Sequence, residues 1–228
     1  MIKSGIDQDA LVALFSQASA KQGEAVRKAV SEATLKALQG RELTLTNIKK
    51  VLESVTQAAS NGAAKNMLPE VDVKQLLGKA LAGIDAALLQ AVQAHRKALQ
   101  QLVDQGIDMQ NKQMKDALAN IERMEDAFFT TIAKTAKADA GPLKGPWEQV
   151  LASMKIKGTE TGALATTSIE QLMSQGRDTM RANRASGLRS AQTLMESYAA
   201  LVSGVLIGMS EGLQPAATAT PASKARTR

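Results

Sequence analysis

His95 is the only histidine in the chain, and there is no cysteine. A lone imidazole can act as a general base only with an orienting partner and a nucleophile in reach. No motif in the sequence supplies either. His95 shares helical spacing with Leu88, Val92 and Leu99, and Arg96 and Lys97 follow it. The spacing predicts a half-buried polar residue with its hydrogen bonds satisfied. Without Cys there is no thiolate catalysis, disulfide framework or Cys-based metal site. One His cannot build a multi-histidine metal cluster. Glu122, Glu125 and Asp126 gather within five residues, but a carboxylate-bridged metal pair needs Glu-x-x-His motifs from separate helices. None occurs, so the cluster reads as a solvated acidic face. The expectation is a non-enzymatic chain, with no catalytic residue, no metal and no cofactor.

Anion binding is the next chemistry to weigh. Gly158-Thr-Glu-Thr-Gly162 opens a helix, where a phosphate could meet free N–H groups. Glu160 would repel it and no Lys follows in the next turn, so a plain interhelical turn is expected. Nucleotide-loop, dinucleotide, zinc-protease and nucleophile-elbow motifs are all absent. Arg177, Arg181, Arg184 and Arg189 form a basic run, the first three on one helical face. They read as a solvated or ion-paired face that could touch phosphates or anionic headgroups. No aromatic residues interleave them for base stacking.

The most specific local pattern is Gly204-x-x-x-Gly208-x-x-x-Gly212, with Ala200 one step earlier. Small residues at this spacing let another helix or surface come close. Leu201, Val202, Val205, Leu206 and Met209 extend apolar character around most of the helix. Such a helix must be covered by protein or by something else apolar. The expected contact is a hydrophobic surface or a partner helix.

The elements that carry these residues read as helices throughout. Prolines stand only at 69, 142, 146, 215 and 221. Between them lie Ala, Leu, Gln, Lys, Glu and Met, the strong helix formers. No segment alternates with a period of two, so no sheet is expected. The periodicity predicts helices over about 7–39, 44–60, 72–105, 108 or 111 to 138, 147–154 and 164–213. Thr44 is the N-cap of the second, with Leu43 and Ile48 as its hydrophobic staple. Asn61-Gly62 marks that helix's stop. The predicted fold is all-α, an elongated antiparallel helical bundle of about five to six helices over 1–213, with a hinge at 139–146.

Composition bounds the rest. The chain has 228 residues, and only five are aromatic. Alanine is so abundant that the core must be thin, since an Ala side chain buries little surface. Net charge is +6. Lys224, Arg226 and Arg228 supply half of it in a Pro/Ala-rich tail, 214–228, that reads as disordered. Three cations support only weak, salt-sensitive nucleic-acid contact. The longest apolar stretch, Ser197 to Ser210, is shorter than the roughly 18–20 residues that span a bilayer. With no signal-peptide pattern at the N-terminus, a cytoplasmic protein without a transmembrane segment is expected.

Three blocks, Leu35–Ala64, Lys79–Leu102 and Ser186–Leu213, resemble an uncharacterised family of bacterial all-helical proteins. That likeness spans about 35–213 and brings no catalytic motif. The whole chain also resembles phasins, coat proteins of polyhydroxyalkanoate storage granules. The likeness lies in small size, absence of Cys, Ala/Gln/Lys-rich amphipathic helices and a Pro/Ala/Lys tail. It implies a cytoplasmic, homo-oligomeric helical protein associated with hydrophobic granules. A structural or regulatory oligomer that binds partner helices is the alternative.

Overall fold

The computed structural model describes residues 7–17, 23–39, 41–66, 72–105, 111–138, 141, 143–182 and 198–211. These residues form helices, with no strand among them. The helices are α1 (Gln8–Gln17), α2 (Gly23–Gln39), α3 (Leu45–Ala64), α4 (Val73–Asp104), α5 (Lys112–Ala138), α6 (Lys144–Lys157), α7 (Glu160–Ala182) and α8 (Tyr198–Glu211).

The core is organised by α4, the longest helix at 32 residues. Asp72 starts it, its side chain accepting from the backbone N–H groups of Lys74 and Gln75 at 2.9 and 3.2 Å. That satisfies two of the donors a helix start leaves open. His95 is buried together with Leu88, Val92 and Leu99, which share its spacing, and the buried stripe runs from Leu76 to Leu102. A second set of small residues, Gly83, Ala87, Ala91, Ala94 and Ala98, is buried as well. Helix α4 is therefore covered on more than one face, by α2, α6, α7 and α8.

The small residues decide how closely those neighbours come. A Cβ on Gly83 would stand 2.5 Å from the Arg27 carbonyl oxygen and 3.0 Å from Val30 Cβ. Nearby, Lys79 pairs with Glu24, which also pairs with Arg27 at 2.8 Å. Together Lys79 and Arg27 hold the Glu24 carboxyl down at about 2. The pairs Glu24–Lys79 and Arg27–Gly83 advance in the same sense, so α2 and α4 run parallel. Helix α3 packs chiefly against α1 and α5, and its Ser60 hydroxyl accepts from Trp147 Nε1 on α6 at 3.0 Å.

Two sequence expectations need correction. The single helix over 7–39 is two helices, α1 and α2. Ala10, Leu11 and Leu14 of α1 line one cavity with Ala29, Ala33 and Lys36 of α2. On one straight helix Ala10 and Ala33 would lie about 35 Å apart, at ~1.5 Å per residue. No large apolar residue occurs between Phe15 and Val26, and Ser16, Ser19 and Gly23 are weak helix formers. The stripe therefore stops, and each half finds its own neighbour. Nor does Asn61-Gly62 end α3, which continues to Ala64. A Cβ at Gly62 would lie 2.4 Å from Phe15 Cβ and 2.8 Å from the Val12 carbonyl oxygen. The glycine serves the α1–α3 approach rather than a turn.

The Thr44 cap is as expected: its hydroxyl accepts from Asn47 N–H at 3.3 Å, and Leu43 and Ile48 are buried beside it. Of the expected hinge, Lys144, Gly145 and Pro146 form the first turn of α6. Pro is tolerated there because a first-turn N–H has no intrahelical partner. The long helix over 164–213 is described in two parts, α7 and α8, and 183–197 lie outside the described residues. The split of 7–39 by itself raises the helix number above five or six. The tail 214–228 also lies outside them. No helix among the described residues is long and apolar enough to cross a membrane.

Candidate functional site

The glycine-spaced segment forms α8, and three polar ties seat it on the core. Its first residue, Tyr198, shares a 2.8 Å hydrogen bond between its hydroxyl and His95 Nδ1. The Ser203 hydroxyl donates to the Arg41 carbonyl at 3.3 Å. The Gln39 side-chain amide donates to the Ser210 hydroxyl. Val202 and Leu206 are fully buried between these ties, and Leu201, Val205 and Met209 are half-buried. These five make the helix–helix contact.

No described residue covers the opposite face. Ala200, Gly204, Ile207 and Gly208 are exposed, and their spacing puts them on one side of the helix. Ile207 keeps 39% of its surface. A Cβ added at Gly204 or Gly208 would meet nothing within 4 Å. Packing within the described chain therefore does not account for these two glycines, in contrast to Gly62 and Gly83. Gly204→Ala should accordingly raise stability by about 0.5–1 kcal/mol, the helix-propensity gain, in a urea titration. A loss instead would mean that the face is covered. Gly212 lies outside the described residues.

His95 is buried at 3% exposure. Burial pushes its imidazole down to about 4, against a weaker opposing pull from the Leu43 backbone. Burial also raises the Tyr198 phenol far above its ordinary value. The two are neutral together, sharing one hydrogen bond, while His95 Nε2 has no partner in hydrogen-bonding geometry. Hydrogen bonding of the ring is thus met at Nδ1 alone, and the ring is more deeply buried than its sequence position implies.

The Gly158–Gly162 turn carries more chemistry than expected. Gly158, with φ of 75°, ends α6 in the left-handed region that glycine tolerates. The Thr159 hydroxyl then caps α7 by accepting from Gly162 N–H at 2.9 Å. Asp85 of α4 accepts from Glu160 N–H at 3.0 Å and Thr161 N–H at 3.2 Å. Glu125 of α5 accepts from the Thr159 N–H at 3.2 Å and its hydroxyl at 2.5 Å. The anion at this helix start is supplied by the chain itself. Two carboxylates fill it, and they join α4 and α5 to α7. Glu125 is therefore not part of a solvated face, although Glu122 and Asp126 are exposed. Asp85→Ala should cost about 1–3 kcal/mol in chemical denaturation, because two N–H groups lose their acceptor in a buried place. An unchanged midpoint would show that water replaces the carboxylate. The signal for Asp85 was legible in principle: it is the only acid in α4 before Asp104.

The arginine run is described only in part. Arg177 is exposed, and its Nε donates to the Met173 carbonyl of its own helix at 3.2 Å. Arg181 falls on α7, while Arg184 and Arg189 lie outside the described residues, as do Lys224, Arg226 and Arg228. Among the described residues no cluster of three or more His, Asp or Glu side chains is placed to hold a metal ion.

Residues 1–215 match the model of a family of unknown function, DUF6781. The chain belongs to the DUF6781 family. The match includes all of α1–α8, so both the carboxylate clasp and the bare face of α8 lie within the DUF6781 region. No curated protein and no solved structure matches the chain.

Proposed function

We propose that the chain docks on a hydrophobic surface through the bare face of α8, as a non-enzymatic, phasin-like protein of polyester storage granules. One observation carries this reading. Helix α8 is apolar around most of its circumference, yet among the described residues only the Val202–Leu206 side is covered. Ala200, Gly204 and Gly208 add little relief around Ile207, so the helix can lie flat on a surface. Each methylene removed from water contributes about 0.8 kcal/mol. The other helices hold α8 in place through the His95, Arg41 and Gln39 ties. The low aromatic content and small side chains of the core favour reversible opening, which would widen the adsorbing area.

The test is flotation of the purified protein with polyhydroxyalkanoate particles, using Ile207→Glu as the control. Leu206→Glu is unsuitable, because Leu206 is fully buried and an unpaired carboxylate there would unfold the chain. Wild-type protein should float with the particles and Ile207→Glu should remain in solution.

A second reading has its own support. Gly204 and Gly208 leave room for a second helix to approach closely, so a copy of the chain could pair through the same face. Light scattering across a concentration series separates the two. A chain that self-associates and ignores the particles is the structural oligomer instead.

A further inference from the structure

Away from α8, the interface of α5 and α6 leaves two cavities of about 200 and 290 Å³. Ala133 and Leu151 line both, so the two form one groove. Ala136 and Trp147 floor one end; Phe129 and Ala152 line the other. Together the volumes fall in the range of small-molecule sites, roughly 300–1,000 Å³. The rim is cationic. Lys137 and Lys144 stand at the Trp147 end and Lys155 at the far end, all exposed. Among the described residues, Glu148 is the only acid lining the groove and none of the three lysines makes an ion pair.

We infer that this groove binds a single-chain anionic amphiphile, with a fatty acid of medium length as the simplest occupant. An apolar floor takes the hydrocarbon, and the Lys137–Lys144 pair takes the carboxylate. Lys144 and Lys155 are eleven residues apart on α6, about 16 Å at ~1.5 Å per residue, the length scale of such a chain. A neutral apolar guest would gain from the floor but not from the lysines. An inorganic anion would gain from the lysines but not from the floor. Only an amphiphile uses both, which is the charge and shape complementarity that the groove offers. The site lies on helices other than α8, so it stands or falls separately from surface docking.

Trp147 is the only tryptophan and lines the groove, so its emission reports occupancy. The probes are decanoate and decanol, titrated below the micellar range into the full chain. Decanoate should give a saturable change in emission with half-saturation at least tenfold lower than decanol. The double substitution Lys137→Gln/Lys144→Gln should erase that preference and leave the decanol response unchanged. Ala133→Phe should block both ligands while the helical circular dichroism is retained; if it fails to fold, the lysine variant carries the test. An absent or unsaturable Trp147 response in the wild type would overturn the proposal. So would equal affinity for decanoate and decanol.

Discussion

Gly83→Leu is expected to cost about 3 kcal/mol or more of folding stability. The cause is steric and local. A Cβ at this position already reaches within 2.5 Å of the Arg27 carbonyl oxygen, a backbone atom that cannot rotate away. Helix α2 must then move off α4, and the Glu24–Lys79 pair and the buried Val26 and Val30 move with it. Overfilling a packed core costs roughly 1–3 kcal/mol when side chains can adjust, and more when they cannot. Against a total stability of about 5–15 kcal/mol, that is a large share. Urea denaturation followed by circular dichroism measures it. Gly204→Leu is the matched control, because nothing stands within 4 Å of the Cβ it would introduce. A Gly83 variant as stable as the Gly204 variant would refute the close α2–α4 approach.

The second large effect is a pH dependence that originates at His95. Its imidazole titrates near 6.5 in an unfolded chain and is held down at about 4 in the folded one. Between these values the unfolded state binds the extra proton, so stability falls as the pH is lowered. The contribution is fully present above about 6.5 and is lost progressively down to about 4. At full extent it is about 3 kcal/mol, because each tenfold loss of proton affinity on folding is worth roughly 1.4 kcal/mol. Carboxylates titrate in the lower part of the same window, so the diagnostic quantity is the difference from His95→Gln. That variant can still hydrogen-bond the Tyr198 hydroxyl but cannot titrate. Wild type should lose more stability than His95→Gln between pH 6.5 and 4. Parallel curves would mean that His95 is not buried as described. Because Tyr198 is the first residue of α8, a charged His95 also loosens the seat of that helix.

The helical character and the inner stripes were legible because they depend on local spacing. The burial of Leu88, Val92 and Leu99 beside His95 and the Thr44 cap follow from 3.6-residue periodicity and cap chemistry alone. What could not be read was the role of residues whose partners are distant in sequence. Gly62 looks like a stop signal until Phe15 is placed against it. Gly83 and the alanines after it look like filler until α2 is laid along them. Glu125 reads as part of a solvated face, and Asp85 stands out only as a lone acid in α4 before Asp104, yet both meet N–H groups of a helix start at Thr159–Thr161, 34 to 76 residues away. The same limit acted on α8. Spacing marked Val202 to Met209 as one apolar contact, but only tertiary packing divides it into an inner side, Val202 and Leu206, and an outer side, Gly204, Ile207 and Gly208.

That outer side can be interrogated at a single position. The chain has no cysteine, so Gly204→Cys gives a unique attachment point for an environment-sensitive dye, and the site has room for it. Lys97→Cys, on an exposed position of α4, is the reference. On addition of polyhydroxyalkanoate particles, the dye at 204 should shift to the emission of an apolar environment while the dye at 97 stays unchanged. A dye at 204 that remains in water, or equal responses at both positions, would contradict docking through α8.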